Sequence, residues 1–311
     1  MSAKLDILLL KGGPSAEREV SLVSGAACVL ALREKGHRVT EYDMTRDVAA
    51  LCRRLETPFD VVFNALHGHF GEDGCVQGVL ELMGRRYTHS GVLASAMAMD
   101  KPLAKRLFNA AGLTTPSGRV VTKDEVLAGD PLPRPYVIKP PAEGSSVGVR
   151  IVRVGDNAQP FTEETWRYGP TVLVEPYIAG RELTVGVLGD SAGTRAISVT
   201  ELRPKVGFYD YAAKYTEGKT EHLVPAPIHK RVFEQALATA VTAHQTLGCR
   251  GVTRCDFRYD DTAGEPGQLF LLEINTQPGM TPLSLVPEQA AHSGMPFPDL
   301  CQWIVDEALA R

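Results

Sequence analysis

The chain has 311 residues, of which 44% are hydrophobic and 23% are charged, and its formal net charge is −4. This composition is ordinary for a globular protein and excludes the disordered and fibrous classes. A slightly negative charge without long runs of Lys and Arg favours neither a nucleic-acid backbone nor an anionic membrane as partner, so we expect a small molecule. The length predicts two or three compact domains.

Two features predict a cytoplasmic protein. The apolar stretch at residues 7–10 is too short for a signal peptide, and no stretch reaches transmembrane length. The cysteines lack CxxC spacing, so we expect reduced thiols rather than disulfides or a zinc site.

The first hundred residues alternate strand and helix patterns, which predicts an α/β domain with a parallel sheet, ending near residue 99. The predicted elements are strands at 5–10, 37–42 and 61–65, a helix at 20–35, and glycine-rich turns at 12–15 and 67–74.

The rest of the chain predicts two further domains, at 100–185 and 186–311. A strand, a polar Gly-Ser loop and a second strand at 136–154 suggest a hairpin. A polar segment at 202–227 has little periodicity and predicts a long loop, which in a compact domain commonly acts as a lid. The remaining predicted elements are helices at 101–111 and 230–247 and strands at 119–122, 172–175, 183–188, 251–259 and 269–274.

Two polar pairs on predicted strands form the sharpest candidate site. Strand alternation places Arg254 and Asp256 on one face, and Glu273 and Asn275 on one face of the next strand. If the strands are neighbours, the Asp, Glu and Asn oxygens converge as hard ligands suited to Mg²⁺. The alternative is a solvated strand face, which the apolar neighbours around Phe257 and at 270–272 disfavour.

A second candidate site follows Lys139, where residues 143–148 read Glu-Gly-Ser-Ser-Val-Gly. Glycines permit close backbone approach, and amide N–H groups with serine hydroxyls can surround phosphate oxygens. Alone, such a segment is more often a plain hairpin turn, and its weight comes from the lysine and the flanking strands.

Three other motifs do not indicate a functional site. Gly218-Lys219-Thr220 resembles the end of a P-loop, but Ala213 stands where that motif requires glycine. His67 and His69 lack a third ligand at zinc spacing, so His67 is expected to be structural or substrate-facing. The Gly-x-Ser-x-Gly spacing of serine hydrolases occurs at residues 144–148, but it lies in a predicted hairpin and not in the strand-to-helix turn that the nucleophile elbow requires.

Four segments, in this order, resemble the signature segments of D-alanine–D-alanine ligases: GGPSAEREVS at 12–21, ALHG at 65–68, EGSSVG at 143–148 and EINTQPGMT at 273–281. The resemblance runs from about residue 5 to the C-terminus. It implies a three-domain ATP-grasp fold of α/β and α+β type, in which the central and C-terminal domains hold ATP between two sheets.

The resemblance also implies roles for individual residues. The phosphates of ATP would contact Lys101, Lys139 and Lys214, and the adenine and ribose would contact Glu175, Tyr177, Ile178 and Glu182. The ligands of two Mg²⁺ ions, with Mn²⁺ as an alternative, would be Asp256, Glu273 and Asn275. The first D-alanine would bind Glu17, which forms a hydrogen-bonded set with Ser145 and Tyr215. The second would bind Ser284 and the Leu285 backbone, with the oxyanion held by Arg254 and the Gly279 N–H.

The implied reaction is ATP-dependent formation of D-alanyl-D-alanine for peptidoglycan, through an acyl phosphate, in a homodimer. Pro14 and the 175–177 hinge depart from the common family pattern, whereas the lid residues 209–215 resemble those of dipeptide-forming members. The base for the second amine stays open among His67, Tyr215 and a water chain through Ser284. The rival functions are another ATP-grasp carboxylate–amine or depsipeptide ligase and a nucleotide-binding module without catalysis.

Overall fold

The computed structural model describes residues 4–144, 148–156, 160–205 and 218–311. Within these ranges the strands form three sheets, with helices packed on their faces. The strands are β1 (Asp6–Gly12), β2 (Arg38–Met44), β3 (Val61–Asn64), β4 (Arg119–Thr122), β5 (Tyr136–Lys139), β6 (Arg150–Val152), β7 (Thr171–Pro176), β8 (Arg181–Asp190), β9 (Gly193–Pro204), β10 (Thr220–Leu223), β11 (Gly251–Asp260) and β12 (Gln268–Asn275). The helices are α1 (Arg18–Glu34), α2 (Val48–Leu55), α3 (Cys75–Leu82), α4 (Val92–Met99), α5 (Lys101–Ala110), α6 (Lys123–Ala128), α7 (Lys230–Thr246), α8 (Leu285–His292) and α9 (Phe297–Leu309).

The N-terminal sheet is parallel, as the alternation of strands and helices predicts, with β1 between β2 and β3. Leu8 and Leu10 belong to a core with residues of α2 and α3. Ile7 and Leu9 belong to a core with residues of α1 and α9. Both faces of β1 are therefore covered, which explains its uninterrupted apolar run.

The four-stranded sheet has the order β4-β7-β5-β6 and contains the predicted hairpin of β5 and β6. Tyr136 lies opposite Val152 in this hairpin. The prediction that β6 continues to Val154 was wrong, because the strand ends at Val152 and Val154 is 78% exposed beyond it. Its branched side chain favours a strand, but this edge offers it no packing partner.

The five-stranded sheet has the order β10-β9-β8-β11-β12, with α7 packed on one face. The loop predicted over 202–227 was too long at both ends, because β9 continues to Pro204 and pairs with β10. Thr220 lies opposite Pro204 in this pairing. The short sequence of β10 has no alternation of its own, and the pairing with β9 makes it a strand.

The C-terminal helices return toward the N-terminal sheet. Helix α9 packs on α1 and β3, so residues 297–309 share a core with the first strands of the chain. The chain passes from the four-stranded to the five-stranded sheet between Pro176 and Arg181, so the proposed domain boundary at 185 lies inside β8. No helix in the described part of the chain has the length and apolar character needed to cross a membrane.

Candidate active site

Two adjoining cavities collect many of the predicted residues. The first, which we call the sheet cleft, lies between the four-stranded and five-stranded sheets and is lined by Lys101, Lys139, Glu175, Tyr177, Ile178, Glu182, Asp256 and Glu273. The second, the polar cavity, is lined by Glu17, His67, Arg254, Asn275 and Gly279. The two cavities share Lys101, Glu143 and Glu273 in their walls, so a group bound in one can reach a group bound in the other.

The polar face of β11 and β12 forms this junction. The strands are antiparallel, with Arg254 opposite Asn275 and Asp256 opposite Glu273. Directly opposed residues share a face of a sheet, and the intervening residues of β11 are buried in the core. The strand pairing on which the sequence prediction depended is therefore confirmed. An irregularity in the ladder after Asp256 brings Leu272, beside Glu273, to the lining of the sheet cleft as well.

Arg254 and Asp256 form a two-pronged ion pair. Arg254 Nε donates to Asp256 Oδ1 at 2.8 Å, and Nη2 donates to Oδ2 at 2.7 Å. Thr184 Oγ1 also donates to Asp256 Oδ1, at 2.7 Å. These bonds hold the carboxylate in one orientation, because fork-shaped pairs of this kind fix geometry as well as charge.

The oxygen donors at this junction fit a magnesium ion. Asp256, Glu273 and Asn275 are hard ligands. Asn275 Oδ1 accepts a bond from the Gln277 N–H at 2.7 Å and keeps a second lone pair. In the described ranges no cluster of three His, Cys, Asp or Glu side chains forms a metal site. Two carboxylates and an amide suit Mg²⁺, which retains waters and adds substrate oxygens.

A buried carboxylate lies between two lysines in the sheet cleft. Glu175 Oε2 is 2.6 Å from Lys139 Nζ, and Oε1 contacts Lys105 Nζ. All three residues are buried. Burial lowers the pKa of Lys139 to about 8, although the nearby Glu273 acts in the opposite direction. The sequence analysis singled out Glu175 and Lys139 but missed Lys105, which lies on the inner side of α5.

The connection from β7 to β8 is held by an arginine that the sequence analysis also missed. Arg258 Nε donates to the Ile178 carbonyl at 3.1 Å, and its guanidinium lies 5.7 Å from the centre of the Tyr177 ring. Arg258 Nη1 is 3.4 Å from Glu182 Oε2. The predicted hinge residues are thus brought together around one cation.

Two carboxylates meet at one point of the polar cavity wall. A Cβ atom placed on Gly144 would lie 2.6 Å from Glu17 Oε1 and 3.3 Å from Glu72 Oε1, so this position has room only for glycine. Burial raises the pKa of Glu72 well above its usual range, and the neighbouring Glu17 raises it further. Within the described structure Glu72 Oε2 is buried without a hydrogen-bond partner. The sequence analysis missed Glu72.

His67 is buried in the same wall, with Nε2 2.9 Å from Ser24 Oγ. Burial lowers the pKa of His67 to about 4, so the ring is neutral at pH 7. A neutral imidazole can hold one orientation through its hydrogen bond and adds no charge to the cavity.

The remaining predicted residues lie beside the polar cavity or outside the described ranges. Ser284 immediately precedes α8, and its Oγ accepts from the Thr281 N–H at 2.9 Å. A Cβ on Gly279, which lines the polar cavity, would lie 2.8 Å from that oxygen, so Ser284 adjoins the cavity wall. The buried Leu285 is the first residue of the helix. The predicted residues Ser145, Lys214 and Tyr215 lie outside the described residues.

Two family models and several curated relatives match this chain. The models "D-ala D-ala ligase N-terminus" and "D-ala D-ala ligase C-terminus" match residues 46–90 and 108–306. D-alanine–D-alanine ligases from Granulibacter bethesdensis and Gluconobacter oxydans are 55% and 56% identical; the matches cover 98% and 99% of this chain and 98% and 100% of theirs.

The fold gives the same result. The crystal structure of the Bacillus anthracis D-alanine–D-alanine ligase matches with a TM-score of 0.82 and 30% identity over 99% of this chain and 98% of its own. The complex of the Bacillus anthracis ligase with ATP matches with a TM-score of 0.79 and 28% identity. The ATP-grasp fold predicted from the resemblance is thereby confirmed, and the chain belongs to the D-alanine–D-alanine ligase family.

Proposed function

We propose that this chain is an ATP-dependent ligase that joins two D-alanine molecules into D-alanyl-D-alanine for peptidoglycan synthesis, releasing ADP and phosphate. The observation that carries the proposal is the paired face of β11 and β12, where Arg254, Asp256 and Glu273 stand at the junction of the sheet cleft and the polar cavity. Adjoining sites with a shared charged wall suit phosphoryl transfer, which depends on positioning and charge neutralisation. The ATP complex of the Bacillus anthracis ligase supports the nucleotide assignment.

The sheet cleft takes ATP in this proposal. Glu175, Tyr177, Ile178 and Glu182 hold the adenine and ribose at the connection between β7 and β8. Lys101 and Lys139, with Lys214, bind the phosphates. Lys101 Nζ is 3.4 Å from Glu273 Oε2, at the wall that both cavities share.

The metal ions belong to the same wall. Asp256, Glu273 and Asn275 would hold two Mg²⁺ ions, with Mn²⁺ as an alternative. When bound, the ions neutralise charge on the phosphoryl group and orient it. Arg254, which is paired with Asp256, holds that carboxylate in one orientation.

The polar cavity takes the amino acids. Glu17, assisted by Ser145 and Tyr215, binds the ammonium of the first D-alanine. The carboxylate of this first D-alanine accepts the γ-phosphoryl group of ATP and becomes an acyl phosphate. The deprotonated amine of the second D-alanine attacks this carbonyl, Arg254 and the Gly279 N–H stabilise the oxyanion, and phosphate leaves.

The second D-alanine is held by its carboxylate at the start of α8. Ser284 and the Leu285 backbone contact it there, where the unpaired N–H groups of a helix favour a negative charge. His67, neutral in its buried position, is one candidate for accepting the amine proton, beside Tyr215 and a water chain through Ser284. The segment between β9 and β10, which carries Lys214 and Tyr215, serves as a lid that excludes water from the acyl phosphate.

The same assignment implies a cellular location, an oligomeric state and a division into domains. We place the enzyme in the cytoplasm, where ATP is available, as a homodimer through the N-terminal domain. We divide the chain into an N-terminal domain at 1–99, a central domain at 100–185 and a C-terminal domain at 186–311, although the passage between the two sheets at 176–181 favours a second boundary just before β8.

The proposal is tested by phosphate release from the purified protein with ATP, Mg²⁺ and D-alanine. We expect release that requires D-alanine, with an equal amount of D-alanyl-D-alanine identified by mass. Parallel reactions with L-alanine, with D-lactate as the acceptor, and without substrate serve as controls. ATP binding without release for any amino or hydroxy acid would contradict ligation and favour a nucleotide-binding module without catalysis.

A further inference from the structure

We propose that Lys105 is a positioning residue for ATP: it neutralises Glu175 when Lys139 leaves that carboxylate to bind the nucleotide phosphates. This inference rests on the proposed function, because it assumes that Lys139 contacts ATP. It concerns a residue that touches the nucleotide only through Glu175.

Each oxygen of the Glu175 carboxylate contacts a different lysine. Its Oε2 faces Lys139 Nζ at 2.6 Å and its Oε1 contacts Lys105 Nζ, and the side chains of all three residues are at most 9% exposed. The contact is built into the fold at Gly118, where a Cβ would lie 2.8 Å from Glu175 Cγ and 3.2 Å from Lys105 Nζ. A larger residue at 118 would therefore separate the pair.

The charges explain why two lysines are needed. A buried carboxylate without a partner is costly, so Glu175 with Lys139 alone would oppose any movement of that lysine toward a phosphate. Lys105 lies on the opposite oxygen and can keep the carboxylate neutralised. Burial and the adjacent Lys139 lower the pKa of Lys105 to about 7, whereas contact with Glu175 favours its charged form. When the nucleotide is bound, Lys105 is thus paired with Glu175, and Lys139 is paired with the phosphates.

The experiment compares Lys105→Met with the native enzyme in direct binding of ATP and of adenosine. Contacts to charged groups are worth enough that we expect ATP affinity to fall about tenfold or more, with adenosine affinity unchanged. Lys123→Met, which removes a lysine of a surface ion pair in the same sheet region, is the matched control and should bind ATP normally.

A second pair of variants shows whether Lys105 acts through Glu175. Lys105→Met combined with Glu175→Gln should bind ATP as well as Glu175→Gln alone, and it contains no uncompensated carboxylate that could prevent folding. The inference would be overturned if Lys105→Met bound ATP with normal affinity, or if its affinity for adenosine fell as much as its affinity for ATP. It would also be overturned if Lys105→Met lowered ATP affinity as much in the Glu175→Gln background as in the native enzyme. A native enzyme that binds no ATP would instead contradict the proposed function.

An independent observation, the approach of Glu72 Oε1 and Glu17 Oε1 to the same point at Gly144, concerns the first amino acid. The geometry assigns Glu72 as a second acceptor for the ammonium of the first D-alanine, beside Glu17. Both residues line the polar cavity, and Glu72 is 6% exposed there. An ammonium carries three donors, so it can serve two carboxylates at once.

The other charged groups in the cavity wall agree with this assignment. Glu17 and Glu273 disfavour a second negative charge on Glu72, whereas Arg254 favours it. Burial and Glu17 favour the protonated form of Glu72 by raising its pKa, whereas an arriving ammonium favours the carboxylate. Binding of the amino acid is therefore expected to lower the pKa of Glu72 and to release a proton to solvent.

The test is Glu72→Gln, measured by the KM of the first D-alanine and by the protons released on D-alanine binding with a non-hydrolysable ATP analogue. Loss of a bond to a charged group predicts a KM about tenfold higher, and the proton release should disappear. Glu34→Gln, on the exposed end of α1, is the matched control. An unchanged KM, or proton release equal to that of the native enzyme, would overturn the assignment. Absence of D-alanine binding by the native enzyme would count against the proposed function instead.

Discussion

Replacing Arg254 with alanine is expected to lower turnover by about 100-fold or more, because removing one oxyanion donor typically costs that much. The side chain lies on the polar face of β11, at the wall of the polar cavity, and fixes Asp256 through two hydrogen bonds. Its loss removes both a donor for the oxyanion and the support of a metal ligand. Turnover is measured by phosphate release at saturating ATP and D-alanine.

The fold should survive this change, because the intervening core residues of β11 remain in place. The melting temperature of Arg254→Ala checks this, and Arg195→Ala, on the exposed part of β9, is the matched control. Arg254→Lys keeps the charge but not the planar fork, so it should recover only part of the loss. Near-normal turnover in Arg254→Ala would contradict its assignment to the oxyanion.

Replacing Glu273 with glutamine is expected to abolish most magnesium-dependent activity. The change keeps the size of the side chain and removes a carboxylate that lies opposite Asp256 and 3.4 Å from Lys101 Nζ. Even changes in the residues that support metal ligands commonly cost about tenfold or more in metal affinity, so loss of a ligand should do at least as much. The measurement is a Mg²⁺ titration of phosphate release, in which the half-saturating concentration should rise.

Glu234→Gln, on the exposed face of α7, is the control for this titration and should behave as the native enzyme. A Glu273→Gln enzyme with an unaltered Mg²⁺ dependence would rule Glu273 out as a metal ligand. Mn²⁺, which accepts similar oxygen ligands, extends the same test to the alternative ion.

Much of the candidate site was predictable because its residues lie close together in regular strands. The alternation of β11 and of β12 placed Arg254 with Asp256 and Glu273 with Asn275, and only the pairing of the two strands had to be assumed. The hairpin of β5 and β6 followed from local turn chemistry in the same way. The 202–227 segment was misjudged because the short strand β10 depends on its pairing with β9 rather than on its own sequence.

The sequence by itself determined the α/β character of the first domain, the segments that resemble D-alanine–D-alanine ligases and the polar face of β11 and β12. Each of these depends on residues within one element or on a short motif. Only the tertiary structure decided which distant groups meet: Lys105 of α5 with Glu175 of β7, Glu72 with Glu17, and α9 with α1. Such contacts depend on how the sheets and helices pack, because spacing along the chain does not set the distance between residues on different elements.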